Sequence, residues 1–311
     1  MKYYEDWVDQ CNFYKESLMF NSYETMQQLV AKKLATVKTD GKFDTFKYHR
    51  NVMYDNLWQK YPELLEVRGH VYDNRNGKLV QAAPRKTFNY LENDTWKNVP
   101  MDTPVQVFKK INGYLACATE YEGELVVSTT GTTNSEYAGW AKELIQIWYE
   151  NPKNKISCAS QGFTDVFEIV VPQDPHIVEE QEGCHWLGYR NKTHGKFTPS
   201  NWLRPINNNG EYIECTLARV IELAQNDRGE GFMLYDAAGN CCKLKTPYYV
   251  GKKILMRMTE KNIRAMYMGL LPARLPEMWY DAVNAVKNTY KVDDWIAMDA
   301  QTRRKVLEQY V

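Results

Sequence analysis

From about Glu66 to Leu255 the chain is written in short β-rich runs, and this texture limits its fold more than any other feature. The runs are "VRGHVYD", "LVQAA", "VQVFKKI", "YLACATE", "ELVVSTT", "DVFEIVV", "YIECTLARV", "GFMLYD" and "CCKLKT". Asn/Gly/Asp turns separate them: "DNRNGK", "YEGE", "NNNGE" and "DAAGN". Runs of this length closed by such turns read as strands joined mostly by hairpins. One helical passage interrupts them, "SEYAGWAKELIQIWYE" at 135–150. Ahead of them, residues 22–35 open with Ser22 and place Met26, Leu29, Val30 and Leu34 at helical spacing. Strands arriving as hairpins, with helices in blocks, predict an α+β fold built on antiparallel sheet. Strand signals fade after Tyr248-Tyr249-Val250, and "EKNIRAMYMGL", "PEMWYDAVNAVKNTY" and "AQTRRKVLEQY" all read as helices. A boundary therefore falls near residue 256, dividing the chain into 1–255 and a small all-α part, 256–311.

Lys+Arg and Asp+Glu both number 39 in the 311 residues, so no global field draws in nucleic acid. Any polyanion site must be a local basic patch. The opening "MKYYEDWVDQ" has no apolar core and is not a secretory signal, and no apolar run approaches a membrane span. A soluble cytoplasmic protein is expected. The seven cysteines (Cys11, Cys117, Cys158, Cys184, Cys215, Cys241, Cys242) form no CxxC pair, which argues against a disulfide framework and a zinc knuckle. No GxxxxGK[ST] appears, so a P-loop kinase is set aside.

The stretch "VFKKINGYLA" places two lysines between Val107-Phe108 and Ile111, on a strand end before a tight turn. An ammonium in partly apolar surroundings is easily neutralised, and the neutral amine is a nucleophile. A solvated basic pair is the commoner meaning of such a stretch, so its companions matter. Glu168, in "VFEIVV", must face solvent or a lined site. Glu230 precedes "GFMLYD" in the same ambiguous way. Lys243 and Lys245 sit at i and i+2 on one strand face, either as edge protection or as a phosphate clamp. Upstream lie Arg68, Arg85 and Lys86. Together these residues fit one chemistry, attack of a neutral lysine on a nucleotide α-phosphate. Lys243, Lys245, Arg68 and a divalent metal would neutralise the phosphate oxygens. A metal favouring phosphate and carboxylate oxygens is Mg²⁺ or Mn²⁺, anchored on Glu230.

The order Lys-x-(Asp/Asn)-Gly, Phe-Glu, Glu-Gly, Lys-x-Lys resembles the covalent nucleotidyltransferases, the superfamily of polynucleotide ligases and capping enzymes. "RGHVYD" followed by "RKTFNYLEN" narrows the resemblance to the bacteriophage RNA ligase 1 family. "VVSTTGTTNSEYA" and "WLGYRNKTHGK" resemble further segments of that family, and the similarity runs from about Asp44 to Val250. The resemblance implies an antiparallel-sheet nucleotidyltransferase (ATP-grasp-like ligase) domain over 1–255. The helical part, 256–311, would help select RNA, with basic residues in "TRRKVLEQY" and "KKILMRMTEKNIR" contacting the backbone or lying on a solvated face.

The implied activity is ATP-dependent joining of 5′-phosphate and 3′-hydroxyl RNA ends, including nicked tRNA, in a phage-infected cell. Lys110, counted back from Gly113, would be the adenylated nucleophile and Lys109 its neighbour. Glu168 would hold the ribose hydroxyls, and Glu230 would act through Mg²⁺ or Mn²⁺. Lys243 and Lys245 would grip the α-phosphate, while Arg68 and Lys86 would meet the pyrophosphate end of ATP. Trp186 or Tyr189 would stack on adenine or belong to the core. Two positions depart from the family pattern: Asn112 stands where aspartate is usual, and Thr130 where a basic residue is usual. The rival readings are a DNA ligase or capping-type enzyme, and a non-catalytic RNA-binding protein on a decayed ligase scaffold.

Overall fold

Ser22 opens the first helix, α1 (Tyr23–Ala31), by accepting a hydrogen bond from the Thr25 amide on its side chain. In the computed structural model, which describes residues 20–151, 154, 162–174, 176–204 and 214–310, that helix ends earlier than the spacing predicts. Lys33 adopts a left-handed φ of 58°, and Leu34 donates its amide back to the Leu29 carbonyl. Both events close the helix before Ala35 starts a strand. Leu34 is buried as the spacing required, but from the connecting turn. The opening ten residues, Cys11, Cys158 and the turn "NNNGE" lie outside the described residues.

The chain forms two compact units that do not follow chain order: residues 1–87, 114–171 and 182–201, and residues 88–113, 172–181 and 202–311. The first unit contains an antiparallel meander of β1 (Ala35–Asp40), β2 (Phe43–Tyr48), β3 (Arg68–Asp73) and β4 (Lys78–Gln81). Its second sheet comprises β6 (Tyr114–Tyr121), β7 (Glu124–Thr129), β8 (Phe163–Val170), β9 (Gly183–Asn191) and β10 (Phe197–Pro199). The strand order is β10-β9-β8-β6-β7, with every pairing antiparallel. A short helix, α2 (Arg50–Tyr54), follows β2. Helix α3 (Glu136–Glu150), capped by Ser135, lays Ala141 and Ile145 against Ala116, Ala118, Val127, Phe167 and Ile169 on one face of the second sheet. The sequence pattern marks neither β1–β2 nor β9 as strand. Their alternation is broken by charged and aromatic residues that only their neighbours make sense of.

In the second unit a four-stranded antiparallel sheet runs β11-β5-β12-β13. Its strands are β5 (Pro104–Lys109), β11 (Glu214–Thr216), β12 (Gly231–Tyr235) and β13 (Cys241–Lys245). The run "YIECTLARV", expected as strand, is strand only to Thr216 among its described residues. The Thr216 hydroxyl accepts from the Arg219 amide and starts α4 (Leu217–Asn226). Leu217, Val220 and Ala224 then pack on Val105, Val107, Leu234 and Leu244. Spacing of three and four residues outweighs the β-branched composition.

Helices α5 (Pro247–Met256), α6 (Glu260–Tyr267), α7 (Tyr280–Thr289), α8 (Val292–Ala297) and α9 (Ala300–Leu307) share one core around Trp279 and Trp295. Helix α5 begins inside the part read as strand-rich. Its signal was Thr246 before Pro247: the threonine side chain accepts from the Tyr249 amide, and proline suits the first helical position. Much of the basic text beyond residue 250 is structural rather than available to a ligand. Arg303 donates to the carbonyls of Trp295, Met258 and Ile296, and Lys252 is buried against Glu308 and Tyr248. Arg257, Lys261 and Lys305 remain exposed.

A Cβ at Gly251 would lie 2.1 Å from a ring carbon of the fully buried Trp279. Gly251→Ala is therefore expected to cost about 3 kcal/mol, because an enclosed indole has nowhere to move. Denaturant titration reads this cost. A loss below about 0.5 kcal/mol would show that the α5–Trp279 contact is loose.

Candidate active site

The second unit's strand order explains which chemical groups meet. Strand β12 lies between β5 and β13. The Lys110 amide, one residue past the end of β5, donates to the Gly231 carbonyl, and Gly231 is the register partner of Lys245. Lys110, Glu230 and Lys245 thus stand at the same end of three adjacent strands. Lys110 Nζ lies 2.9 Å from Glu230 Oε2, and Lys245 Nζ lies 3.1 Å from Glu230 Oε1. The carboxylate is nearly enclosed (5% exposed), while the lysines are about one fifth exposed. Burial pushes the Glu230 carboxyl upward. Attraction and hydrogen bonds from Lys110 and Lys245 override that push and hold it below the usual carboxylate range. Its contribution to stability is therefore present at neutral pH and lost as pH falls through that lowered value.

Two ammonium groups on one carboxylate leave net positive charge in a half-buried place, which suits an anion. Lys253, on α5, adds to this charge. Burial, then the nearness of Lys245 and Arg257, lowers its pKa. Lys245 and Lys253 both lie beside the Tyr249 ring, with Nζ 4.6 Å and 5.8 Å from its centroid. Lys243 shares its face of β13 with Lys245 and ties the strand to Phe88 and Tyr90 through its backbone.

The lysine pair of "KKING" divides. Lys109 Nζ lies 2.8 Å from Glu180 and is half-exposed, whereas Lys110 turns to Glu230. Asn112 is buried. Its Oδ1 accepts the amides of Ile177 (3.0 Å) and Val178 (3.1 Å), and its Nδ2 donates to Glu230 Oε2 (3.2 Å). Two backbone donors fix the amide's orientation, so the nitrogen must face the carboxylate. Sequence reasoning missed Glu180, which nothing local marks, and counted Lys253 only among the basic residues of "KKILMRMTEKNIR".

Arg68, Lys86 and Glu168 belong to the first unit. Arg68 begins β3, opposite Lys47. Lys86 donates its Nζ to the Thr87 carbonyl and lies over the Trp58 ring. Arg85 sits 3.7 Å from Glu66, which also pairs with the buried Arg190 at 2.8 Å. Glu168 is buried on β8, with Leu115 and His185 as its register partners. Phe167 and Ile169 face α3, so alternation turns Glu168 to the opposite face of the sheet. Trp186, the register partner of Phe167, packs on the α3 side and donates to Asp165 Oδ1. Trp186 is thus partly buried against that core, on the face away from Glu168. Tyr189 stacks beside it.

Burial raises the pKa of Asp165 to about 6, against the hydrogen bonds from Tyr149 and Trp186. A folded-state pKa above the unfolded value gives stability that is complete in acid and falls as pH rises through about 6. The loss between pH 4 and pH 7 should be about 2 kcal/mol, and Asp165→Asn should remove most of it. Melting wild type and variant at both pH values checks this; parallel pH dependence would contradict it.

Among the described residues no group of three or more His, Cys, Asp or Glu side chains could hold a metal ion. Glu230 supplies a single carboxylate, already engaged by three donors. This donor set fits a divalent ion whose other ligands come from phosphates and water, and does not fit a resident ion held by protein alone. No helix among the described residues is long and apolar enough to cross a membrane.

No protein-family profile and no curated protein sequence matches the chain. Among solved structures it is similar to an archaeal ATP-dependent RNA ligase at TM-score 0.47 and 14% identity, over 93% of this chain and 76% of the other. A protein from Aquifex aeolicus assigned as an ATP-dependent DNA ligase gives TM-score 0.46 and 13% identity over the same shares. A Naegleria gruberi RNA ligase with pyrophosphate gives 0.36 and 13%, over 55% of this chain and 57% of that one. Such values assign no activity to the chain.

Proposed function

We propose that this protein is an ATP-dependent RNA ligase of the covalent nucleotidyltransferase type, related to the bacteriophage RNA ligase 1 family, and that Lys110 is its nucleophile. The observation that carries the reading is the single enclosed carboxylate, Glu230, shared by Lys110 and Lys245. It presents a lysine amine beside excess positive charge, as attack on a phosphate requires. Lys110 leaves Glu230 and sheds a proton. Its nitrogen bonds to the α-phosphorus of ATP as the bond to pyrophosphate breaks, giving lysyl-AMP. AMP then passes to the 5′-phosphate of an RNA end. Attack by a 3′-hydroxyl seals the phosphodiester and releases AMP.

Lys243 and Lys245 hold the α-phosphate, Arg68 and Lys86 the pyrophosphate end, and Glu168 the ribose hydroxyls. Glu230 would hold a divalent ion, Mg²⁺ or Mn²⁺, which would supply further charge neutralisation on the phosphates. Arg257, Lys261 and Lys305, exposed on the helical part beyond residue 256, contact the RNA backbone. Repair of nicked RNA such as tRNA during phage infection is the role this reading favours.

Intact-mass measurement after incubation with ATP and Mn²⁺ should show one AMP-sized adduct, discharged by RNA carrying a nick with 5′-phosphate and 3′-hydroxyl ends. Discharge by nicked DNA alone would favour the DNA ligase reading. RNA binding with no adduct would favour the decayed scaffold.

A further inference from the structure

Asparagine at position 112 links two parts of the second unit. On one side, its amide nitrogen reaches the carboxylate that holds Lys110. On the other, its oxygen takes the two successive backbone amides of Ile177 and Val178. Those residues form a short strap, His176–Glu180, whose apolar side chains are buried in the helical core with Tyr248, Leu255 and Leu307. Glu180, at the end of the strap, accepts from the Asn112 amide (3.3 Å) and pairs with Lys109.

The final helix grips the other end. Arg304 donates Nη1 to the His176 carbonyl (3.4 Å) and pairs its Nη2 with Glu179 (2.7 Å). Its Nε bonds Glu308, which also holds the buried Lys252 of α5. A continuous set of contacts therefore runs from α9 through the strap to Asn112 and the lysine turn.

We infer that Asn112 is a positioning residue through which the C-terminal helical layer, by way of the 176–180 strap and Arg304, sets the place of Lys110. This rests on the reading of Lys110 as the adenylated nucleophile. The helical layer is then part of the adenylation machinery, in addition to any contact with RNA. A side chain at 112 serves this purpose if it offers an acceptor to the Ile177 and Val178 amides. Aspartate does so; it gives up the donor to Glu230, and the two ammonium groups of Lys110 and Lys245 then hold two carboxylates together in its place. Alanine offers none and leaves two buried amides unpaired.

The test measures the single-turnover rate of AMP adduct formation in the full chain at saturating ATP and Mn²⁺, well below every variant's melting temperature. Asn112→Ala is expected to slow adduct formation at least tenfold, with Asn112→Asp within about threefold of wild type. Arg304→Ala is expected to slow it about threefold with the KM for ATP unchanged. In combination with Asn112→Ala it should add nothing further, since both act along one path. Multiplying effects, an Asn112→Asp rate as low as that of Asn112→Ala, or melting changes without rate changes would overturn the inference. Should Asn112→Ala fail to fold, Arg304→Ala alone decides: a slower rate at constant KM supports positioning, and an unchanged rate refutes it. Absence of the adduct in wild type would instead overturn the nucleophile reading beneath it.

Discussion

Lys110→Ala is expected to show no AMP-sized gain in mass after incubation with ATP and Mg²⁺ or Mn²⁺, while wild type and Lys109→Ala both gain it. The two lysines are adjacent in sequence, so the contrast tests geometry rather than composition. Strand β5 ends at Lys109, whose ammonium pairs with Glu180 and is half-exposed. Lys110 sits in the turn beyond and is held at the shared carboxylate. Loss of a covalent nucleophile removes the adduct outright, because Lys109 is turned to Glu180 and Lys245 reaches the carboxylate from another strand. Lys109→Ala is expected to lower the rate only through the Glu180 contact. An adduct persisting in Lys110→Ala, or one lost only in Lys109→Ala, would move the nucleophile to the other lysine.

Gly231→Ala is expected to destabilise the second unit by about 4 kcal/mol and to abolish adduct formation. Gly231 has a φ of +127°, where a side chain is strained, and a Cβ there would lie 2.0 Å from the Leu244 carbonyl oxygen and 2.9 Å from the Lys245 Cα. Both obstacles are backbone of the adjacent strand, so relief requires β12 and β13 to part. Parting them separates Glu230, one residue before the glycine, from Lys245 at the end of β13. Denaturant titration and adduct mass measure the two consequences on one sample. A variant of wild-type stability would show that the strands tolerate separation. A destabilised variant that still forms the adduct at the wild-type rate would show that the Glu230–Lys245 contact is dispensable.

The features legible in the sequence were those set by a local period or a local cap. "VQVFK" and "CCKLK" alternate, "GFMLY" is a short apolar run closed by a turn, and all three are strands, while "SEYAGWAKELIQIWYE" carries its own serine cap and is a helix. Where two local signals competed, the reading failed. Thr216 stood in a β-branched run yet capped a helix, and Leu34 fitted a helical stripe yet followed a left-handed lysine. Basic residues read as RNA contacts proved partly internal, because Arg303 and Lys252 find carbonyls and a carboxylate contributed by other helices. Trp186, read as an adenine stacker or a core residue, packs under α3, which no local pattern around it specifies.

By itself, then, the sequence determined the kinds of element, their antiparallel character and the presence of lysines and glutamates in strand-end positions, since periods of two and 3.6 are written residue by residue. Only the tertiary structure decided which of those residues meet. Lys110 and Glu230 are 120 residues apart and come within 2.9 Å because β12 lies beside β5, with β13 on its other edge. Strand order is set by the burial of whole faces under α4, a sum over many side chains that no single motif records.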